Sequence, residues 1–332
     1  MQLETALTRH AGTEVPLIGG AMYPCSNPEL VAAVSEAGAI GIVQPITLTY
    51  VNRYELRDGL RVIRRLTSKP IGMNALIESS ARAYHERMVR WVHVAIEEGI
   101  RFFVTSLGNP RWVVDAVSSV GGVVYHDVTE RKWALKAIDG GVHGLIAVNR
   151  RAGGHAGTRS PEALLAELRD LGRPVICAGG VGDAAGFVAA LSAGYAGVQL
   201  GTRFIATVEC TASDAYKRAI VAADEEDVVL TERISGVPLA VLRTPYVDRV
   251  GTSIGPLTRW LFRGRRTKKL IRAWYALKSF RALKLTSIAG SDRAEDPGRA
   301  VWQAGKSVAT IDAIEPAATI IRRFAEAARA AV

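Results

Sequence analysis

This sequence of 332 residues lacks long apolar runs, cysteines spaced as metal ligands and a signal-peptide pattern. No stretch approaches the roughly 18 uncharged apolar residues that span a bilayer, so we expect no transmembrane helix. The opening residues lack the basic-then-apolar order of a secretory signal. The cysteines Cys25, Cys177 and Cys210 are an odd number without metal-ligand spacing. We therefore predict a cytoplasmic protein without a metal site.

Acidic residues are absent from residues 256–287, a segment that contains ten Lys or Arg residues. Outside this basic segment, Lys and Arg match the Asp and Glu residues in number, so the segment accounts for the whole net charge of +10. Its cations alternate with apolar residues such as Trp260, Phe262 and Trp274. The pattern fits a solvated helix face, a surface for a CoA-linked or carrier-linked substrate, or a membrane-surface element. Nucleic acid is not expected, because no known binding module accompanies the charge.

A rhythm of strand and helix fills the first two-thirds of the chain. Short apolar runs predict buried parallel strands, and amphipathic stretches between them predict helices. The clearest helix is Pro28–Ala37, with Asn27 as N-cap and Gly38 as stop, and Asp183–Ala193 is another. Eight strands are predicted, at Leu17–Gly19, Ile40–Val43, Ile71–Asn74, Phe102–Thr105, Val123–Asp127, Gly144–Val148, Val175–Ala178 and Gly197–Leu200.

Eight strands alternating with helices match an α/β fold of the (β/α)₈ barrel type, which usually takes about 250 residues. An open doubly wound sheet stays as an alternative, because periodicity cannot show closure. We assign residues 1–223 to the barrel core and 224–300 to an irregular basic insertion on the substrate side of the mouth. Residues 301–332 are predicted to form a closing helical segment packed on the barrel.

Glycine-rich turns follow the last two predicted strands. Gly179-Gly180 follows strand 7 and Gly201-Thr202 follows strand 8. Glycines let backbone N–H groups approach an anion closely, and a helix that begins near Asp183 directs its positive end to the same place. Many barrels bind phosphate at these two loops. For each glycine alone a tight turn is an adequate explanation, but the two loops together predict a phosphate site.

A dinucleotide-binding fingerprint is a competing interpretation of Gly180–Gly186. Its last interval is one residue too long for the fingerprint. It also follows a late strand instead of opening the first βαβ unit. We therefore favour the phosphate interpretation.

His155 lies in the loop after predicted strand 6, between Gly153-Gly154 and Gly157. A lone loop histidine usually only bonds a neighbouring carbonyl. This one falls between the phosphate loops and the loop after strand 1, where flanking glycines let a planar ligand lie close. We predict a general acid or base. His126, at the end of strand 5, is a second candidate for the mouth.

Together these residues resemble the nitronate monooxygenase, or 2-nitropropane dioxygenase-like, family. The resemblance runs from about Pro16 to Cys210. The motifs that carry it are Gly20-Ala21-Met22, the predicted helix 27–38, Asn74, Ala152-Gly153-Gly154-His155-Ala156-Gly157, Ala178-Gly179-Gly180-Val181 and Gly201-Thr202-Arg203-Phe204.

The resemblance implies a (β/α)₈ TIM barrel with non-covalently bound FMN, which oxidises alkyl nitronates with O₂. His155 would be the catalytic residue. The flavin ring would be bordered by the loop after strand 1 and by the glycines before His155, and its phosphate would be held by the loops after strands 7 and 8. The implied cofactor-binding residues are Ala21, Met22, Tyr23, Asn74, Gly153, Gly154, Gly179, Gly180, Gly201 and Thr202.

Two departures from the family pattern bear on the substrate. Relatives that use nitronates often carry an acid before the Ala-Gly-Gly-His run, where this chain has Asn149-Arg150-Arg151. Some relatives have a lysine after the strand-5 histidine, where this chain has Asp127. An FMN-dependent enoyl-thioester or quinone reductase, with NAD(P)H as co-substrate, therefore stays an alternative. A flavin-free barrel that binds a phosphorylated small molecule is a second alternative.

The basic segment gives the first prediction. Replacing Arg265, Arg266, Lys268 and Lys269 with Gln is expected to raise the KM for a CoA-linked substrate severalfold, because exposed cations would attract its phosphates. The wild-type KM should also rise with salt, as the Debye length falls from about 10 Å at 0.1 M to about 3 Å at 1 M. The KM for a small neutral substrate is the control. A loss of binding to anionic vesicles with unchanged kinetics would instead indicate a membrane surface.

Overall fold

Eight parallel strands close into a barrel in the computed structural model, which describes residues 2–78, 82–255, 279, 281–290 and 292–331. The strands follow chain order, and the eighth pairs back onto the first through Ile18 and Gln199. Closure confirms the TIM barrel and excludes the open sheet. The strands are β1 (Leu17–Gly19), β2 (Ile40–Val43), β3 (Ile71–Ile77), β4 (Phe102–Leu107), β5 (Val123–Val128), β6 (Gly144–Val148), β7 (Val175–Ala178) and β8 (Val198–Leu200).

Helices connect successive strands and cover the outside of the barrel, because parallel strands need crossover connections. A short π-helix, Thr47–Val51, follows β2. We number the described α-helices as α1 (Ala6–Ala11), α2 (Pro28–Glu36), α3 (Leu56–Leu66), α4 (Arg82–Glu97), α5 (Arg111–Ser118), α6 (Arg131–Asp139), α7 (Pro161–Leu168), α8 (Ala184–Ala193), α9 (Thr202–Ile205), α10 (Asp214–Ala222), α11 (Pro245–Val250) and α12 (Ala317–Ala330). None of the described helices is both long and apolar enough to cross a bilayer.

The predicted strand bounds are confirmed for β1, β2, β6 and β7. The other four differ: β3, β4 and β5 run further toward the mouth, and β8 begins later, at Val198. The prediction ended β3 at Asn74 because the apolar run ends there. The backbone ladder continues to the pair Ile77 and Leu107, since ladder hydrogen bonds do not depend on side-chain polarity.

The barrel interior is a separate apolar cluster that includes Ile18, Ile42, Val104 and Ile146. Its residues alternate along each strand with outward residues that pack against the helices. Tyr125 also points inward, and at Gly144 a Cβ atom would lie 2.4 Å from its ring. A side chain on β6 at that point would collide with the tyrosine, which explains the glycine.

Both α2 and α8 begin and end where the sequence signals predict, but only α8 has a side-chain cap at its N-terminus. Asp183 caps α8 by accepting from the Gly186 N–H at 2.8 Å, and Gly194 ends the helix at φ 105°. Asn27 occupies the N-cap position of α2 without a capping hydrogen bond. Its amide instead accepts from the Thr211 N–H and donates to the Glu209 carbonyl. Asn27 therefore ties α2 to the chain after β8.

The insertion 224–300 is more regular than predicted. An antiparallel hairpin of β9 (Val228–Thr231) and β10 (Leu239–Leu242) is followed by α11, and residues 281–287 are helical. The predicted irregular structure is wrong for these parts, because the hairpin buries one apolar face on its own small core. Residues 256–278, which hold most of the basic segment, lie outside the described residues.

The indole of Trp302 anchors the insertion to the barrel. It is buried, stacks on Tyr216 of α10 with ring centroids 5.4 Å apart, and donates from Nε1 to the Thr286 carbonyl.

The closing helix α12 packs on α8 through Phe324 and Phe187. Within the predicted closing segment 301–332, the helix begins at Ala317, because Pro316 occupies its N-cap position. The division of the chain into three parts stays a prediction.

Trp302→Ala is expected to lower the free energy of unfolding by about 3–5 kcal/mol, since it removes a large buried aromatic side chain and leaves a cavity. The exposed Trp133→Ala is the matched control and should stay within about 0.5 kcal/mol of the wild type. Denaturant titration followed by circular dichroism measures both. Equal effects of the two substitutions would contradict the anchoring role of Trp302.

Candidate active site

The loops after β1, β6, β7 and β8 meet at the C-terminal end of the barrel. The Gly20 N–H donates to the Leu200 carbonyl at 2.8 Å, which joins the first loop to the last strand. A Cβ atom at Gly201 would lie 3.6 Å from the Met22 sulfur, so these loops are in van der Waals range. The sequence-predicted residues of these four loops therefore share one end of the fold.

The His155 loop is held between two other chain segments. Gly154 and Ala240 of β10 exchange two backbone hydrogen bonds, of 2.7 and 3.2 Å, and form an antiparallel bridge. On the other side, a Cβ atom at Gly153 would lie 2.8 Å from the Gly305 nitrogen. Close backbone approach therefore requires glycine at position 153, and the φ angle of 68° favours glycine at position 154. Sequence reasoning assigned them to the flavin and missed Gly305 and β10.

The His155 imidazole is exposed at the mouth yet densely surrounded by protein atoms, and this desolvation lowers its pKa below 6.5. Its Nε2 atom lies 3.3 Å from Ser235 Oγ. Because the single hydroxyl hydrogen of Ser235 is donated to the Val237 carbonyl at 2.9 Å, the oxygen accepts from His155 Nε2–H. The tautomer assigned from this network leaves Nδ1 as the free base.

Gly179 and Gly180 form a tight backbone turn after β7, called the cradle below, which leaves no room for side chains. Their φ angles are 116° and 88°, which favour glycine. A Cβ atom at Gly179 would lie 2.4 Å from the Ala152 nitrogen, and one at Gly180 would lie 2.6 Å from Arg151 Nε. The backbone here approaches the loop after β6 too closely for any side chain.

Thr202 closes the other side of this cradle and is buried. Its Oγ1 accepts from the Gly305 N–H at 2.9 Å. The hydroxyl hydrogen therefore stays available for an acceptor on a ligand. Its neighbour Arg203 is fully buried and donates to the carbonyls of Ala206 and Ala313, so it is a structural residue.

Two cations lie beside the cradle and share one acid from the insertion. Arg151 forms an ion pair with Glu225, and Lys306 Nζ lies 3.8 Å from the same carboxylate. The Lys306 N–H also donates to the Arg151 carbonyl at 2.9 Å. Two cations against one carboxylate leave a net positive charge beside the cradle, which favours anions.

Asn149 organises the loop after β6 from a fully buried position. Its Nδ2 donates to the Gly179 carbonyl at 2.9 Å, and its Oδ1 accepts from the Arg151 N–H at 2.8 Å. It thus fixes the loop that carries His155 against the end of β7. Sequence reasoning treated Asn149 only as a departure from the family, and no local motif marks this role.

The loop after β1 reaches the site through its backbone. Ala21, Met22 and Tyr23 are half-buried. The Met22 N–H donates to Ser26 Oγ at 2.8 Å, and the Tyr23 carbonyl accepts from Gln303 Nε2 at 3.4 Å. Gln303 also lies 2.9 Å from a Cβ built at Gly154, so it links this loop to the His155 loop. It was missed because it is distant in sequence.

Asn74 lies inside β3 and not at its end. It is buried and falls on the same face of the strand as Gly72, where a Cβ would contact Ile42 of the barrel interior. The amide is therefore part of the barrel floor below the loops. The predicted strand-end position is wrong, while the predicted contact with a ring stays a prediction.

His126 does not reach the mouth. On β5 it follows Tyr125, whose side chain points into the barrel, so the His126 side chain points out toward the helices. Its Nδ1 atom lies 2.8 Å from Thr105 Oγ1, with which it forms a hydrogen bond. Burial lowers its pKa to about 4, which keeps it neutral. It is a satisfied core histidine because the pleat places alternate side chains on opposite faces.

The glycines of the Gly180–Gly186 stretch have separate structural causes. Gly180 belongs to the cradle, and Gly186 lies in the first turn of α8, where its N–H is capped by Asp183. At Gly182 a Cβ would lie 2.5 Å from the Ser307 carbonyl oxygen. Close contacts therefore account for Gly180 and Gly182 without a dinucleotide fingerprint.

The cysteines lie in the core of the fold. All three are buried and free, and a hydrogen bond with Cys210, together with burial, raises the pKa of Cys25. Burial likewise raises the pKa of Cys177 to about 12. Cys25 and Cys177 are therefore thiols at neutral pH. Within the described part of the chain, no cluster of His, Cys, Asp and Glu residues is arranged to hold a metal ion.

Comparison with known proteins agrees with this geometry. The family model described as nitronate monooxygenase matches residues 4–326. A Mycobacterium tuberculosis protein named as an octahydroindene-carboxyl-CoA dehydrogenase is 34% identical over 254 residues, which cover 75% of this chain and 69% of that protein. A probable nitronate monooxygenase from Staphylococcus saprophyticus is 27% identical, covering 75% of this chain and 81% of its own.

Among solved structures, that of FabK from Thermotoga maritima aligns with a TM-score of 0.79 and 28% identity, over 98% of this chain and 96% of its own. The nitroalkane oxidase from Streptomyces ansochromogenes aligns with a TM-score of 0.76 over 99% of this chain and all of its own. Its identity of 22% supports the fold alone.

Proposed function

Since this chain belongs to the nitronate monooxygenase family, and is therefore an oxidoreductase, we propose that it uses FMN to oxidise or reduce a CoA-linked substrate. In this proposal His155 exchanges a proton with a carbon next to the thioester carbonyl. The observation that carries the proposal is the shared position of an accessible neutral imidazole and a glycine-built anion cradle at one end of the barrel.

The residues present fit FMN. A phosphate in the cradle would be bound by the backbone at Gly179 and Gly180, by the Thr202 hydroxyl hydrogen and by the nearby charge of Arg151. Toward the barrel floor, Gln199 Oε1 is buried without a hydrogen-bond partner among the described residues, as expected where a polar ring edge binds. FMN, when bound, supplies the two-electron acceptor or donor.

His155 supplies the proton chemistry. Its Nδ1 lone pair is free in the assigned tautomer, and Ser235 fixes the ring by accepting from Nε2–H. In oxidation, Nδ1 would take the proton from the carbon next to the thioester carbonyl, the neighbouring carbon would lose a hydride to the two-electron acceptor, and a C=C bond would form between the two carbons. In reduction, the imidazolium would return that proton. A neutral histidine near physiological pH suits both directions.

The substrate class is supported by similarity to the CoA-linked dehydrogenase, which exceeds 30% identity over three-quarters of the chain. An alkyl nitronate oxidised with O₂ is the second candidate, and the family model and the staphylococcal relative favour it. Anaerobic mixing of the flavin-loaded protein with an acyl-CoA, a nitronate, NADH or NADPH tests them. Flavin bleaching by the acyl-CoA supports the first candidate. So does bleaching by NADH or NADPH, if the reduced flavin then reduces an added enoyl-CoA. Bleaching by the nitronate alone supports the second candidate.

The purified protein should be yellow, and denaturation should release about one FMN per chain. Thr202→Val combined with Gly180→Val is expected to weaken FMN binding by roughly ten- to a hundredfold, because one hydrogen bond to a charged group contributes about 1.5–3 kcal/mol. Thr202→Ser keeps the hydroxyl and is the matched control. A colourless protein that takes up no added FMN would leave the flavin-free phosphate-binding barrel as the function.

His155→Ala should retain its fold and FMN but lose about 10²-fold or more in kcat. Because the pKa of His155 lies below 6.5, the base is already neutral at pH 7, so the wild-type rate should fall only as the pH drops through that lowered pKa. The exposed His93→Ala is the control and should not change the rate. Ser235→Ala should cost less than tenfold, since it removes one neutral hydrogen bond. A kcat near that of the wild type in His155→Ala would refute the catalytic role.

A further inference from the structure

A half-buried carboxyl group with one solvent-inaccessible oxygen lies on the floor of the barrel mouth. Asp127 is the next inward residue of β5 after Tyr125. The strand registers pair Asn74 with Val104, and Val104 with Tyr125. Because strand tilt raises the level by about one residue per strand in an eight-stranded barrel of shear 8, Asn74 and Asp127 fall in the same interior layer.

The same registers define the rest of this layer. Asp127 pairs with Ile146 and Ile146 with Ile176, so the tilt brings Ala178 of β7 to the level of Asp127. By the same count Gly20 of β1 completes the layer. Gly20 and Ala178 lead directly into the loops of the candidate site, so Asp127 and Asn74 are the polar members of the layer on which a ligand at the mouth would rest.

One oxygen of the Asp127 carboxyl is enclosed by described residues that do not bond it. Its Oδ1 atom is inaccessible to solvent and accepts no hydrogen bond within the described part of the chain. Desolvation alone raises its pKa to about 7, and no charged neighbour contributes. Buried polar groups normally have a hydrogen-bond partner. An unbonded oxygen in the layer that faces the mouth therefore indicates that a ligand atom bonds it.

No other titratable side chain faces Asp127 from the adjacent strands. The inward residues near its level are Val104 and Ser106 on β4, and Ile146 and Val148 on β6. Its own neighbour His126 points outward and is neutral. In the loop after β6, which follows these strands at the mouth, Arg150 and Arg151 carry charge and His155 is neutral at pH 7.

Resting on the FMN function proposed above, we propose that Asp127 is held as the neutral acid and donates its proton to an acceptor atom of the isoalloxazine. The ring removes the remaining water from the carboxyl, which disfavours the ionised form further. An apolar site that keeps a carboxylic acid neutral turns it into a hydrogen-bond donor. Asp127 is thereby a cofactor-binding residue, and FMN affinity depends on its proton.

The sign of the pH dependence follows from linkage. The complex holds the Asp127 proton more tightly than the apoprotein does, so FMN binding takes up a proton once the pH exceeds the pKa of about 7 in the unliganded protein. The FMN phosphate is already doubly ionised there, because its second pKa is about 6. The Kd for FMN should therefore rise with pH above neutrality.

The experiment titrates apoprotein with FMN, following flavin fluorescence at about pH 7 and about pH 9. The wild-type Kd is expected to rise roughly tenfold or more, since each pKa unit of coupling is worth a factor of ten. Asp127→Asn keeps a neutral donor of similar size and should bind FMN like the wild type at the lower pH, with no pH dependence. Asp127→Leu removes the donor and should bind weakly at both values.

Asp115→Asn on the exposed face of α5 is the matched control and should keep the wild-type pH dependence. A wild-type Kd that is constant or falls with pH would overturn the inference, since a falling Kd indicates an ionised Asp127 that accepts from the ring. The same pH dependence in Asp127→Asn would also overturn it. Absence of FMN binding at every pH would instead refute the proposed function, so the two failures are distinguishable.

Discussion

The close approach of two backbone segments at the barrel mouth is the constraint on which the candidate site depends. Gly153 and Gly305 lie so near each other that a Cβ on either would meet the other's backbone nitrogen at 2.8 Å or less. The Gly305 N–H in turn bonds Thr202, and the Lys306 N–H bonds Arg151. One contact therefore fixes the His155 loop, the end of β8 and one side of the anion cradle together.

Much of this arrangement could be predicted from local sequence. Apolar runs located all eight strands, because buried parallel strands are apolar on both faces. The glycines and Thr202 after the late strands were placed at one end of the fold, since strand order in a barrel determines which loops meet. The errors are at Asn74 and His126, where the residue type suggested a strand end but the ladder and the pleat decided the direction of the side chain.

The rest of the site could not be predicted, because it depends on pairs far apart in sequence. Ser235 bonds His155, which lies 80 residues earlier in the chain, and Gln303 bonds Tyr23, which lies 280 residues earlier. Neither residue stands in a motif. The polar character of the insertion suggested irregular structure, whereas its hairpin is stabilised by a small apolar core and by the bridge from Ala240 to Gly154.

The barrel and the insertion contribute different properties to the site. The barrel supplies the anion cradle and the floor that contains Asn74 and Asp127, which suit a cofactor. The insertion supplies Ser235 to His155 and Glu225 to Arg151, so it sets the tautomer of the base and offsets the charge beside the cradle. A change in the insertion can therefore alter both the orientation of His155 and the charge beside the cradle. Because the insertion is separate from the strands, such a change leaves the barrel itself intact, and one barrel can present different sites to different ligands.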